Sequence, residues 1–482
     1  MSEDQVSSRL GRRGFLGSAA TLGAVAGSPA LLAACATGGG GTPTGTENKP
    51  TPAVSESADN PFGVDPKAPL DVVIFKGGFS DEYAKYHQTM YKKRFPDAAV
   101  KHTGTQDITP QLQPRFVQGS PPDVVDNSGA QALDTTTLAT TGQLTVIDDR
   151  FLDAPSLDFE GKKIRDTLVD GALDQLTIEG KVYGLPYALN INGIWHNAAL
   201  FEKNGWEPAK TWDDLMALGV KTKAADLPLW TYQGQYPNYM VTVFAAMVTK
   251  HGGNDVMKNI DNLEDGAWSQ DAVKAVAEAF FELKSKGYIM RGTASLTHVQ
   301  AQAQWASGKA AIIPCGSWLK SELGSQLPAD FKMAITPTPS LDAGDKLGYE
   351  AIPYGTTESF VVPSKGKNVN GGLEYLRTML SKEAAQKFAE LTYTLTVVKG
   401  AHDDQDVDTV LKSSLDAYDA AQAAERIQPW RYTGWYVPMK DDIEGAMGQL
   451  LTGNLDANGF VARAQKVADR VKKDPKIKKL SR

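Results

Sequence analysis

Along the chain, short apolar runs alternate with stretches whose apolar residues recur at helical spacing. The first run, Leu70-Asp71-Val72-Val73-Ile74-Phe75, is rich in β-branched residues and predicts a strand. Gly77-Gly78 ends it. Ser80 stands at the N-cap position of a helix predicted over residues 81–95, with Asp81 and Glu82 in the first turn. Tyr83, Tyr86, His87, Met90 and Tyr91 share one face of that helix. Pro96 stops it, and Val100-Lys101-His102 opens a second strand. Strand, glycine turn, helix and strand in that order predict a βαβ unit, hence a parallel sheet covered by helices.

The alternation continues. Asp123-Val124-Val125 is a short strand that opens onto Asp126-Asn127-Ser128-Gly129, and residues 184–187 lead into a strand at Gly193-Ile194-Trp195-His196. Thr211 with Asp214 three residues on is a capping pair for a helix over 213–218. Residues 310–314 and 360–363 are further strands, 371–391 is helix-prone, and the C-terminal part is helical. The charged end, 472–482, reads as a solvated tail.

Composition narrows the class. At 482 residues the chain is long enough for two large lobes, each with a core. Net charge is -7, and the first 34 residues carry Arg9, Arg12 and Arg13 against Glu3 and Asp4, so the remainder is more acidic still. Such a chain lacks the basic footprint of a nucleic-acid binder. The two cysteines are Cys35 and Cys315, and Cys35 belongs to a targeting segment, so the mature domain has no internal disulfide to form. Gly11-Arg12-Arg13-Gly14-Phe15-Leu16 resembles a twin-arginine export motif, and Leu32-Ala33-Ala34-Cys35 resembles a bacterial lipobox, in which the cysteine thiol takes a lipid. Residues 1–34 are therefore expected to be a signal peptide. Residues 35–60, rich in Gly, Thr, Pro, Ser and Glu, are expected to be a flexible tether.

Several local patterns fall in the order known from one family. They are Gly119-Ser120-Pro121-Pro122-Asp123-Val124-Val125, Tyr183-Gly184-Leu185-Pro186-Tyr187, Leu200-Phe201-Glu202-Lys203-Asn204-Gly205-Trp206, Gly308-Lys309-Ala310-Ala311 through Trp318, and Ser381-Lys382-Glu383-Ala384-Ala385. The chain resembles the extracellular carbohydrate-binding proteins of ABC importers, the maltose-binding-protein type. Thr392-Tyr393-Thr394-Leu395-Thr396-Val397-Val398 and Tyr354-Gly355-Thr356-Thr357-Glu358 are similar to the actinobacterial N-acetylglucosamine/diacetylchitobiose branch. The resemblance implies an α/β, two-lobed periplasmic-binding-protein-like fold of type II with a ligand cleft at a hinge. Lobe 1 would take 67–186 and 347–395, and lobe 2 would take 187–346 and 396–482. It also implies a monomer without cofactor or metal, a small-molecule sugar as ligand, ABC permease subunits as partners, and a place on the extracytoplasmic face of the membrane through Cys35.

A sugar ring needs aromatic platforms for its C–H face and polar side chains for its hydroxyl rim. Residues at strand ends are the natural suppliers. Phe79 and Ser80, Gln106, Asp126 and Asn127 follow the first three strands. Asn190 and Asn192 follow the crossing at 183–187, and Tyr232 and Gln235 lie in a polar-aromatic loop. Trp318 follows a Gly-Ser turn, Glu358 lies on the returning segment, and Trp430, Trp435 and Tyr436 form an aromatic cluster. Each tryptophan could equally be core, Asp126 could cap a helix, and Cys315 reads as a buried thiol. Two alternatives stay open: a maltose-, cello- or xylo-type oligosaccharide as ligand, and an exported glycoside hydrolase using Asp126 and Glu358 as its carboxyl pair.

Overall fold

A computed structural model describes residues 54–482 apart from Ala130 and Asp404. The signal-peptide reading of 1–34, Cys35 and most of the tether lie outside the described residues. Where 54–60 is described, it is not free chain. Arg150 donates to Glu56, Asn60 pairs with both backbone groups of Val64, and Arg94 donates to the Asp59 carbonyl, so the packed body begins before the expected end of the tether.

Ten strands are present among the described residues: β1 (Leu70–Phe75), β2 (Val100–Thr105), β3 (Val124–Asp126), β4 (Thr177–Ile178), β5 (Lys181–Val182), β6 (Leu185–Asn197), β7 (Ile312–Gly316), β8 (Met333–Thr336), β9 (Tyr354–Val361) and β10 (Leu395–Thr396). The βαβ reading holds, since β1 and β2 are parallel from Leu70 opposite Val100 to Phe75 opposite Thr105. The helix between them is Glu82–Arg94. Its N-cap is Asp81 rather than Ser80, which instead takes a left-handed φ of 60° in the turn. Asp81 is drawn aside by Lys76 and His102, so no side chain caps this helix.

β6 organises the molecule. The short strand expected at 193–196 is part of one strand of 13 residues that begins at Leu185. Its first half pairs antiparallel with β9 and β10, and β9 continues through β3 to β1 and β2. Its second half pairs antiparallel with β7 on one side and β8 on the other. At Gly193 there is no room for a side chain, because a Cβ would stand 2.4 Å from the Thr336 carbonyl oxygen.

Alternation along this second half sends residues to different cores. Trp195, Ile313, Cys315, Met333 and Ile335 join the core that also underlies β1, β3 and β9. Ile194 and Ile312 join a second core, built by the helices Asn238–Gly252, Asp271–Ser285, Val437–Thr452 and Ala457–Lys473. The expected helix at 371–391 is two helices, Val369–Met379 and Lys382–Thr392, because Ser381 caps the second by accepting from the Ala384 N–H. The C-terminal segment is not a solvated tail. Arg482 pairs with buried Asp261 at 2.8 Å, and the Tyr436 hydroxyl binds both backbone groups of Leu480. Among the described residues no helix is long and apolar enough to cross a membrane.

Candidate functional site

A cleft of about 580 Å3 opens beyond the ends of β1 and β3, over the middle of β6 and β9 and beside the segment after β7. Phe75, Phe79, Asn127, Asn190, Trp318 and Glu358 are among its lining residues. Its size falls in the range of small-molecule sites.

Two rings are built in by glycine. A Cβ at Gly316 would stand 1.9 Å from the Trp318 ring, so the indole lies directly across the backbone of the turn after β7. Phe75 is wedged between Gly77 and Gly129, where a Cβ would stand 2.2 and 2.3 Å from its ring. Both rings are half-buried and line the cleft, as a platform for an apolar sugar face requires. Phe79, tilted against Phe388 at 5.7 Å, adds a third. Sequence reasoning counted Phe75 as strand interior; its paired glycines were the available signal.

The polar groups divide into those already used and those left over. Asn127 is fully engaged: its Oδ1 accepts from the Leu133 N–H, and its Nδ2 donates to the Leu133 carbonyl and to Thr135 Oγ1. It fixes the loop that walls the cleft. Asn190 is 8 % exposed, and its Nδ2 donates to Thr357 Oγ1 at 2.9 Å while its buried Oδ1 has no partner. An unpaired buried acceptor is costly, so a donor from a ligand is the natural complement. Glu322, bound by Gln302 at 2.6 Å, and Gln175 were not singled out by sequence, because neither lies at a strand end.

Asp126 lies beneath the cleft rather than on its surface. It is wholly buried, with Tyr83 Oη donating to Oδ2 at 3.2 Å and Ser128 Oγ to Oδ1 at 2.5 Å. β3 and β9 pair antiparallel with Asp126 opposite Phe360, which sets Glu358 diagonally across from it, close enough for the two carboxyls to act on each other. Burial pushes Asp126 up to about 6, and burial together with the Asp126 charge pushes Glu358 well above the usual carboxyl range.

The remaining candidates are spread more widely. Asn192 lies in a small cavity that shares Trp318 with the cleft, and with Trp430 in a second of about 190 Å3, so both residues line cavities linked to the cleft through shared side chains. Ser80 is half-buried beside the lining residue Phe79, and Gln106 is exposed beyond β2, outside the lining. Tyr232 is not brought to the cleft, and it lines a separate cavity with Lys284 and Arg291. Gln235 is exposed and donates to the Ser295 carbonyl. Tyr436 is wholly buried and Trp435 packs on the same helical core, so the C-terminal aromatic cluster serves packing. Cys315 is a buried free thiol, pushed upward by desolvation.

The family model described as bacterial extracellular solute-binding protein matches residues 75–386, which hold β2 through β9 and the whole cleft lining. The chain belongs to the bacterial extracellular solute-binding proteins. Among relatives of this solute-binding protein is the diacetylchitobiose binding protein NgcE of Streptomyces coelicolor, 34% identical over 436 residues, which cover 90% of this chain and 91% of the relative. A multiple sugar-binding protein of Streptococcus mutans is 22% identical over 65% of this chain and 72% of its own. The two-lobed α/β fold is shared with solved structures. A chitin oligosaccharide binding protein has a TM-score of 0.63 at 20% identity, covering 83% of this solute-binding protein and 98% of that chain. The apo-form of RafE from Streptococcus pneumoniae has a TM-score of 0.65 at 18% identity, covering 84% and 98%.

Proposed function

We propose that this protein captures an acetamido sugar, N-acetylglucosamine or N,N'-diacetylchitobiose, and delivers it to an ABC importer without chemical change. The observation that carries the reading is the cleft's pairing of clamped aromatic rings with a buried, unpartnered acceptor at Asn190. Phe75, Phe79 and Trp318 suit the C–H faces of pyranose rings. The Asn190 Oδ1 suits an amide N–H or a hydroxyl. The 34% identity to a diacetylchitobiose binding protein, over nine-tenths of both chains, supports the acetamido class over maltose-, cello- or xylo-type sugars.

Binding rather than hydrolysis is the better account of the acid pair. A glycosidase keeps its two carboxyls about 5–9.5 Å apart to flank the scissile bond. Asp126 is wholly buried beneath the cleft, behind Glu358, so the two carboxyls do not flank the space a sugar would occupy. The lobes are proposed as 67–186 with 347–395 and 187–346 with 396–482, closing on the sugar as a monomer. The twin-arginine and lipobox motifs support export and a lipid on Cys35, which would hold the protein beside its permease on the outer face of the membrane.

Isothermal titration with N-acetylglucosamine, diacetylchitobiose, maltose, cellobiose and xylobiose tests this. The expected result is a dissociation constant near or below micromolar, about -8 kcal/mol, for an acetamido sugar alone and without turnover. Preference for another sugar would keep the transport role and discard the acetamido assignment. Cleavage of any member would discard both.

A further inference from the structure

Two carboxylic acids meet at the floor of the cleft. Glu358 is 9 % exposed and lines it, and Asp126 lies wholly buried behind. Asp126 stands opposite Phe360 in the antiparallel β3–β9 pair, so Glu358 is its diagonal neighbour, and two carboxyl groups this close can hydrogen-bond only with a proton on one of them. Both Asp126 oxygens already accept from hydroxyls, those of Tyr83 and Ser128. Apart from Asp126, no partner of the Glu358 side chain is seen among the described residues. The backbone at Glu358 is unusual as well, with φ at 57° inside β9, although the pairing with β6 keeps one register on either side of it. A non-glycine residue rarely adopts that region, and such outliers gather at functional sites.

We propose that Asp126 and Glu358 share one proton, carried by Glu358 and donated to Asp126, so that Glu358 meets the ligand as a neutral acid offering its carbonyl oxygen. The ligand in this inference rests on the sugar-binding reading; the proton does not. The floor of the cleft then presents two uncharged acceptors, Glu358 and Asn190, matched to the O–H and N–H donors of a neutral sugar.

The surroundings favour the shared proton. From the helix Glu82–Arg94 come Tyr83 and His87, and burial lowers the His87 imidazole to about 4, so it is neutral. Tyr375 from the helix Val369–Met379 and Tyr187 from β6 are buried phenols raised by desolvation. From β1 comes the apolar Phe75, and the neighbouring Lys76 is taken by Asp81 at 3.2 Å. Across the cleft Glu322 adds a further acid rather than a cation. No cation among the described residues balances a second negative charge on the pair. Losing the proton would set two carboxylates against each other in a desolvated floor.

Binding is therefore expected to weaken as pH rises through the loss of this proton, by up to about tenfold per pH unit. Calorimetric titration of the purified protein with diacetylchitobiose between about pH 5 and 9 reads that slope. In Glu358→Gln, whose amide can donate to Asp126 and still accept from the sugar, the slope is lost, and affinity at the alkaline end exceeds that of the native protein. Glu358→Ala binds weakly at every pH, and Gln rescues it. A pH-independent native protein, or a Gln variant that keeps the native slope, would overturn the proposal. Infrared spectra of the unliganded protein separate the two readings. A protonated-carboxyl band at neutral pH that disappears in Glu358→Gln supports the proton even if no sugar in the panel binds, and that silence would fault only the choice of ligand. Its absence would overturn the proposal whichever sugar binds.

Discussion

Asn190 illustrates how a single side chain can be set for a ligand. Its Nδ2 is tied to Thr357, which fixes the amide plane, and its buried Oδ1 is left without a donor. In the free protein Asn190→Ala loses only the Nδ2–Thr357 bond and removes an unpaired acceptor, so it should lower stability by no more than about 1 kcal/mol, read from the melting temperature. In the complex it should cost about 1–3 kcal/mol of affinity, read by titration with the bound sugar. Equal losses in stability and affinity would assign Asn190 to folding alone. Asn127, its neighbour in the lining, makes the contrast, because every polar atom of its amide is spent on the loop 128–135. Both asparagines are visible in the sequence. What separates them is whether a backbone partner lies within reach, which depends on a loop conformation that residue identity does not specify.

At the scale of elements, turns and crossovers carry the site. The turn after β7 places Trp318 only because residue 316 has no side chain. Gly316→Ala should displace the indole and weaken sugar binding at least about tenfold, with circular dichroism showing a folded chain. The segment 337–353, which returns from β8 to β9, is pinned by Lys250 at the end of the helix Asn238–Gly252. Its Nζ donates to the carbonyls of Thr338 and Tyr349 and is wholly buried. Burial lowers Lys250 to about 7, whereas an unfolded lysine titrates near 10.4. Between those values the unfolded chain holds a proton that the folded one lacks, so stability should rise with pH across that window. Urea midpoints measured from about pH 7 to 9 should climb in the native protein and climb less in Lys250→Met. Sequence reading found β1, the helix after it and the capped helix Trp212–Ala224 because their signals are local. It found only the end of β6, at 193–196, because residues 188–192 carry a mixed pattern. Partners on both edges keep that stretch extended.

For the whole molecule, the C-terminal segment closes the helical core. Asp261 is wholly buried, its Oδ1 accepts from the Arg431 and Tyr432 N–H groups, and Arg482 supplies the compensating charge. Arg482→Met would leave that carboxylate unbalanced, a loss of about 3–5 kcal/mol at neutral pH. Desolvation already raises Asp261, and losing Arg482 would raise it further. The deficit should therefore shrink as pH falls and Asp261 takes up a proton, which thermal unfolding at neutral and acid pH can test. The sequence read this segment as solvated because its charges are dense. The partners of Lys472 and Arg482, Asp265 and Asp261, lie more than two hundred residues away.

By itself the sequence determined the α/β class, the opening βαβ unit and the family, because these rest on local periodicity or on motifs in a fixed order. It also named Phe79 and Trp318, which follow strand ends, and Asn190 and Glu358, which the fold places inside β6 and β9. Only the tertiary structure decided which aromatic residues face the cleft and which fill the core, and it added Phe75 while sending Tyr436 to the helices. Only the tertiary structure, too, set Asp126 against Glu358 across 232 positions of sequence and left them to divide a proton. The physical reason is common to both cases. Burial, partner and charge state are properties of the space around a side chain, and that space is assembled from segments that meet only when the chain folds.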